Sequence, residues 1–257
     1  MKPRYAGATD VGRKRSHNED RFLVQPEDDL FVVCDGMGGH ASGEIASQMA
    51  VDELSAFFAQ TREDDQVTWP YKPDRRLSEM ENRLAVGIKW ANWKVFDASA
   101  ADPRLKGMGT TAVGIAVNGE TCAIAHVGDS RCYRIRDGQI EQMTRDHSLL
   151  EDYKQLAQLS DEEIKNFPHK NIITRALGMK ETVQVDTRRE PLRPGDLYLL
   201  CCDGLSGELE DPQEILQTVN EFLPDLDGAV KELIARANRR GGRDNITVVL
   251  VQVPTES

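Results

Sequence analysis

Acidic residues stand at the ends of apolar runs in this chain, where a strand would give way to a turn. Asp35-Gly36 closes the run Leu30–Cys34, Asp203-Gly204 closes Leu197–Cys202, and Asp129 follows Thr121–Val127. Asp244-Asn245 precedes Ile246–Val253, and Glu19-Asp20 precedes Arg21–Gln25. Taken singly, each Asp-Gly reads as a turn. Taken as a set that meets in space, they become a chemical problem. Two carboxylates about 4 Å apart repel by ~4 kcal/mol at an effective dielectric of about 20, so several together need protons or a counter-charge. Hard divalent cations such as Mg²⁺ or Mn²⁺ supply that charge through carboxylate, carbonyl and water oxygens. No Cys or His spacing favours zinc. Periodicity alone does not bring these ends together.

The elements that must position them are mostly strands. Alternating or continuous apolar runs predict strands over Arg21–Gln25, Leu30–Cys34, Thr111–Val117, Thr121–Val127, Arg131–Arg136, Thr182–Arg188, Asp196–Cys202 and Ile246–Val253. Asn118-Gly119 makes a hairpin turn between two of them, and Asp137-Gly138 has the same chemistry. Helical spacing appears at Ala46, Ala50, Leu54, Phe57 and Phe58, and again from Leu77 to Val95. A third helix starts at Asp211-Pro212, with Glu214 completing a capping box. A fourth spans about Asp227 to Arg240 and stops at Gly241-Gly242. Hairpin-joined strands with helices in separate blocks point to an α+β fold, not a doubly wound parallel sheet. Thr61–Arg76, polar and with two prolines, reads as a surface loop, so one domain over residues 1–257 is expected.

Composition narrows the function classes. The chain has 257 residues and a net charge of −11, with 39% hydrophobic and 29% charged residues, as in a globular protein with a full core. The acidic balance and the lack of basic clusters argue against nucleic acid as a partner. No apolar stretch approaches the ~20 residues of a membrane helix, and Met1-Lys2-Pro3-Arg4-Tyr5 lacks a signal core, so a cytoplasmic location is expected. Five cysteines, none in a Cys-x-x-Cys, read as reduced, packed thiols.

The motifs form an ordered series. It runs Thr9-Asp10-Val11-Gly12, Arg15-Ser16-His17-Asn18-Glu19-Asp20, Asp35-Gly36-Met37-Gly38-Gly39-His40 and Gly107-Met108-Gly109-Thr110-Thr111. It continues with His126-Val127-Gly128-Asp129-Ser130-Arg131, Asp146-His147-Ser148 and Ile173-Thr174-Arg175-Ala176-Leu177-Gly178. Leu200-Cys201-Cys202-Asp203-Gly204-Leu205 and Gly242-Arg243-Asp244-Asn245-Ile246-Thr247 complete it. The series, from about Thr9 to Val253, resembles the bacterial metal-dependent serine/threonine protein phosphatases of type 2C.

That resemblance implies a central sandwich of two antiparallel β-sheets flanked by helices on both sides, a four-layer αββα arrangement, with a two-metal site at one end. It implies hydrolysis of phosphoserine and phosphothreonine in proteins by a water that two Mn²⁺ or Mg²⁺ ions acidify. By resemblance, Asp35 bridges the two ions and the Gly36 carbonyl is a neighbouring ligand. Asp203 and Asp244 hold one ion, and Asp20 holds the other through water, with Glu19 the competitor for that role. Asp129, with Asp203, takes a third, weaker ion; the alternative is a turn aspartate. Arg15 grips the substrate phosphate, Arg13 and Lys14 being a solvated basic edge, and His40 protonates the leaving oxygen; the alternative for His40 is a helix cap. Segment 151–170 occupies the position of a flap, expected as short helices capped by Ser148 with Glu151 and Ser160 with Glu163, that contacts substrate or is a passive lobe. Cys202 departs from the family pattern, replacing a usual serine. Implied partners are phosphorylated proteins and a cognate kinase, with the chain acting as a monomer. Two other readings are a catalytically silent partner-binding relative and a phosphatase of small phosphate esters.

Overall fold

The alternation of side chains along buried strands accounts for the layers. In a strand, successive side chains face opposite ways. Leu197, Leu199 and Cys201 join one apolar cluster, while Tyr198, Leu200 and Cys202 join another. Leu30, Val32 and Cys34 likewise separate from Phe31 and Val33. Both faces are therefore buried, which is why these segments read as continuous apolar runs rather than alternating ones.

A computed structural model describes residues 2–38, 42–63, 67–156, 161–165, 167 and 172–255. The strands are β1 (Arg4–Asp10), β2 (Asp20–Gln25), β3 (Leu30–Met37), β4 (Gly109–Thr110), β5 (Ala112–Asn118), β6 (Thr121–Val127), β7 (Arg131–Arg136), β8 (Gln139–Gln142), β9 (Asp186–Pro191), β10 (Leu197–Cys201) and β11 (Ile246–Gln252). They form two antiparallel sheets, ordered β1-β11-β10-β7-β8 and β2-β3-β5-β6-β9, with β4 pairing β3. The helices are α1 (Ser42–Glu63), α2 (Glu79–Ala101), α3 (Leu149–Leu156), α4 (Asp161–Lys165), α5 (Asp203–Ser206), α6 (Pro212–Phe222) and α7 (Leu226–Arg240). One cluster fills the space between the sheets, with Phe31, Val113 and Ile124 facing Tyr198, Leu200 and Val249. A second packs α6 and α7 on the outer face of the first sheet, and a third packs α1 and α2 on the outer face of the other. The expected four-layer α+β sandwich is thus present.

Several boundaries differ from the sequence reading. The apolar runs mark neither β1 nor β8; both are edge strands, partly exposed, so little apolar periodicity marks them. The predicted strand Thr182–Arg188 begins instead at Asp186, where pairing with His126 starts. Val183 and Val185 are apolar because they pack on the core from a loop. Asp211 caps α6 by accepting from Gln213 N–H, but the Glu214 carboxylate pairs with Arg240 at 2.6 Å and closes no capping box. Ser148 Oγ accepts from Glu151 N–H at 3.4 Å while the Glu151 carboxylate turns to Lys154. Ser160 lies outside the described residues. In the expected surface loop Thr61–Arg76, α1 continues to Glu63, and Trp69 and Tyr71 pack against the core. A capping box does start α2, between Ser78 and Glu81.

Candidate active site

Strand register gathers the acids. Asp20 lies opposite Asp35 across the β2–β3 pair. In the other sheet, Asp10 lies opposite Ile246, and Cys201 lies opposite both Val248 and Arg131. Asp244, Asp203 and Asp129 each stand two residues beyond those paired positions, so all five acids emerge at one end of the sandwich.

The acids press on one another there. Burial and the charges of Asp20, Asp203, Asp129 and Asp244 hold the Asp35 carboxyl well above the usual range. Asp129 is pushed up to about 7 by burial, Asp203 and Asp146. Asp203 is raised by burial and by Asp244. Asp20, 1% exposed, is pushed up to about 6 by burial and by the charges of Asp203 and Asp244, against hydrogen bonds from Thr247 and Cys202. Its Oδ2 accepts from Thr247 Oγ1 at 2.6 Å.

Three carboxylate oxygens, Asp20 Oδ1, Asp129 Oδ1 and Asp203 Oδ1, are buried without a hydrogen-bond partner. A buried oxygen left bare costs about 1–3 kcal/mol or more when charged. Oxygen-only donors of this kind, oriented and unpaired, fit a hard divalent cation. Carboxylate oxygens of Asp20 and Asp35 also lie within 4.8 Å of one another. Gly36 completes the cradle. A Cβ there would lie 2.2 Å from Gly43 O and 2.5 Å from Glu19 O, so no side chain fits where α1 crosses β3.

Glu19 and Asp20 meet different neighbours. The Glu19 carboxylate accepts from the Gly43 N–H in the first turn of α1, whereas Asp20 points into the sandwich end among the other acids. Arg15, on the loop after β1, sits at the rim, its Nη2 2.7 Å from Asp244 Oδ2. Arg13 and Lys14 donate their backbone N–H groups to Gly242 O, which anchors that loop. His40 lies outside the described residues, as do parts of the flap segment.

Sequence reasoning assigned no role to several residues that hold this geometry. Asn245 accepts from Glu19 N–H at 2.8 Å and donates to Val11 O and His17 O, pinning the loop that carries Arg15. Thr111 Oγ1 accepts from Asp35 N–H at 3.0 Å and meets Ser130 Oγ at 2.7 Å. Cys202 Sγ accepts from Thr247 N–H at 3.1 Å and faces Asn245 O at 3.3 Å. All are members of the motif series, which was their one visible signal.

Comparison with known proteins gives the family. The protein phosphatase 2C family profile matches residues 10–237. A serine/threonine phosphatase, stp, of Listeria monocytogenes is 37% identical over 247 residues, covering 95% of this chain and 93% of that protein. The crystal structure of the Mycobacterium tuberculosis serine/threonine phosphatase PstP/Ppp superposes with a TM-score of 0.85 at 32% identity, covering 98% of this chain and 99% of that one. The PstP catalytic domain in complex with two manganese ions gives 0.81 at 33% identity, covering 98% of each chain. The chain belongs to the protein phosphatase 2C family, the metal-dependent serine/threonine phosphatases that its motif series resembles.

Proposed function

We propose that this chain hydrolyses phosphoserine and phosphothreonine in proteins at the acid cluster, using two Mn²⁺ or Mg²⁺ ions and, at Asp129, a third weaker one. The observation that carries the reading is the set of bare, buried oxygens on Asp20, Asp129 and Asp203 around Asp35. Asp35 would be shared by the two ions with the Gly36 carbonyl as a neighbouring ligand, Asp203 and Asp244 would hold one ion, and Asp20 would hold the other. Asp20 is preferred to Glu19 because it keeps a buried carboxylate oxygen, Oδ1, without a hydrogen-bond partner. When bound, the ions acidify a water and neutralise the phosphoryl oxygens.

The protein's own groups do the rest. Arg15 offers a planar guanidinium that donates two parallel hydrogen bonds to phosphate oxygens. It rests at the rim of the cluster, 2.7 Å from Asp244. His40 delivers the proton to the departing seryl or threonyl oxygen. No cysteine serves as nucleophile: all five are buried and free, and burial pushes the Cys202 thiol far above its ordinary pKa.

Every group named comes from one chain, so a monomer with one catalytic domain and its flap (151–170) suffices. Reduced, buried cysteines suit a cytoplasmic setting. Among the described residues, no helix is long and apolar enough to cross a membrane. Removing a phosphomonoester presupposes a kinase that writes it, so a serine/threonine kinase is the opposing activity.

The test is hydrolysis of a phosphothreonine peptide with Mn²⁺ or with chelator, in wild type and Asp203→Asn. Both chelation and the substitution are expected to cost about 100-fold or more in rate, about 3 kcal/mol of transition-state stabilisation. Equal rates in all arms would overturn the reading.

A further inference from the structure

Behind Asp129 lies a group of side chains that the proposed chemistry does not use. His147 holds Gly128 at two points. Its N–H donates to Gly128 O at 2.9 Å, and its ring Nδ1 accepts from Gly128 N–H at 3.0 Å. Gly128 has φ of +107°, and a Cβ there would lie 2.6 Å from Thr111 Cγ2, so the turn needs glycine and a fixed position. On the other flank, Ser130 is held by Thr111. Asp129 therefore sits on a turn braced from both sides.

His147 is also the root of the flap. Thr174 N–H donates to His147 O at 2.8 Å, and Ser148 pairs with Ile173, so the segment leaves and returns beside this residue. With Nδ1 an acceptor, the ring proton is on Nε2, which faces Asp186 Oδ2 at 3.3 Å. Arg175 Nη1 holds Asp186 at 2.7 Å. The His126 ring stacks on His147 with centroids 4.6 Å apart, and its Nε2 is 2.7 Å from Arg145 O.

His126, His147 and Asp186 bring ligand atoms within 4.8 Å, the spacing of a metal site. The hydrogen bonds argue otherwise. A metal on His147 Nε2 would require the ring to accept at both nitrogens, as an imidazolate. Arg175 Nη1, 3.0 Å from that nitrogen, fills the space. Burial also pushes His126 down to about 4, so the stack is not a pair of cations. The group is a brace.

We infer that His147 is a positioning residue that sets the Gly128-Asp129 turn for the third ion and ties it to the root of the flap. The inference rests on the reading of Asp129 given above. Groups that orient a metal ligand typically cost 10–100-fold in metal affinity when removed.

The experiment is calorimetric titration of the full chain with Mn²⁺, resolving tight and weak steps, with the Gly128 amide followed by NMR. Asp129→Asn is expected to abolish the weak step. His147→Ala should weaken that step about 10-fold, leave the tight step unchanged and shift the Gly128 amide. His147→Asn, whose amide oxygen takes the place of Nδ1 as acceptor, should restore it; His147→Gln should not. If His147→Ala leaves the weak step unchanged where Asp129→Asn abolishes it, the inference is wrong and the Asp129 reading survives. If Asp129→Asn keeps the weak step, both fall. Should His147→Ala fail to fold, the Asn and Gln variants decide, and equal weak steps in those two would overturn the inference.

Discussion

The β2–β3 hairpin buries one carboxylate at its turn end and a cluster of them at its open end, and the two ends are built on opposite plans. At the turn end, Asp28, its side chain fully buried, receives Arg62 at 2.9 Å and Arg83 at 3.0 Å, with Gln25 bonded beside them. At the open end, Asp20 faces Asp35 with Asp203 and Asp129 close by, and the arginine at the rim, Arg15, is paired to Asp244. The first end supplies its own cations. Among the described residues no arginine or lysine pairs with Asp20, Asp35, Asp129 or Asp203 at the second, Arg131 nearby being taken by Asp146, so its counter-charge must come from what binds. A buried acid with its arginine is architecture; buried acids without one are a site.

The contrast can be broken most directly by one substitution at each end. Asp28→Asn leaves Arg83 without its buried partner and should destabilise the protein by about 3 kcal/mol in urea melts. It should leave the Mn²⁺ titration unchanged. Asp35→Asn should do the reverse. It removes like-charge repulsion, so the chelated protein should gain about 1 kcal/mol or more, while Mn²⁺ stabilisation is lost. If both variants destabilise the chelated protein equally, the distinction between the ends fails.

Metal and pH sharpen the same point. At about 100 times its dissociation constant, a bound ion adds about 2.7 kcal/mol to folding stability, which thermal melts with Mn²⁺ and with chelator will measure. Without metal, Asp20 and Asp129 are raised to about 6 and about 7 in the folded state, above an aspartate's unfolded value. Such groups contribute stability that is fully present below the unfolded pKa and is lost as pH rises through the folded one. The chelated protein should therefore lose stability from about pH 4 to pH 7 as pH rises, and saturating Mn²⁺ should suppress the loss. A chelated protein that grows more stable over that range would contradict the repulsive cluster.

The smallest effect is expected at the rim. Arg15→Lys keeps the charge but loses the planar fork, so KM for a phosphopeptide should rise about 10-fold, about 1.4 kcal/mol. Folding stability should barely change, because the Arg15–Asp244 pair is half exposed. An unchanged KM would remove Arg15 from phosphate binding.

Much of this was legible before any fold was known. Central strands such as Leu30–Cys34 and Ile246–Val253 announce themselves because both faces are buried. Edge strands β1 and β8 do not, since their exposed faces leave no pattern. The acids at strand ends were visible as turns. Their braces, Asn245, Thr247, Thr111 and His147, were visible as motif letters without a task. Hydrogen bonds such as Asn245 to Glu19, which spans 226 residues of chain, have no local signature.

The chain alone determined which residue types border the apolar runs, and hence the oxygen-rich, zinc-averse chemistry available, because periodicity and composition are local properties. The tertiary structure decided that Asp20 meets Asp35 in register, that Asp203 and Asp129 join them with bare oxygens, and that Asp28 finds two arginines. Those outcomes depend on which strand pairs with which and on what is left unpaired once the core has closed, and distance and burial are properties of the packed sandwich.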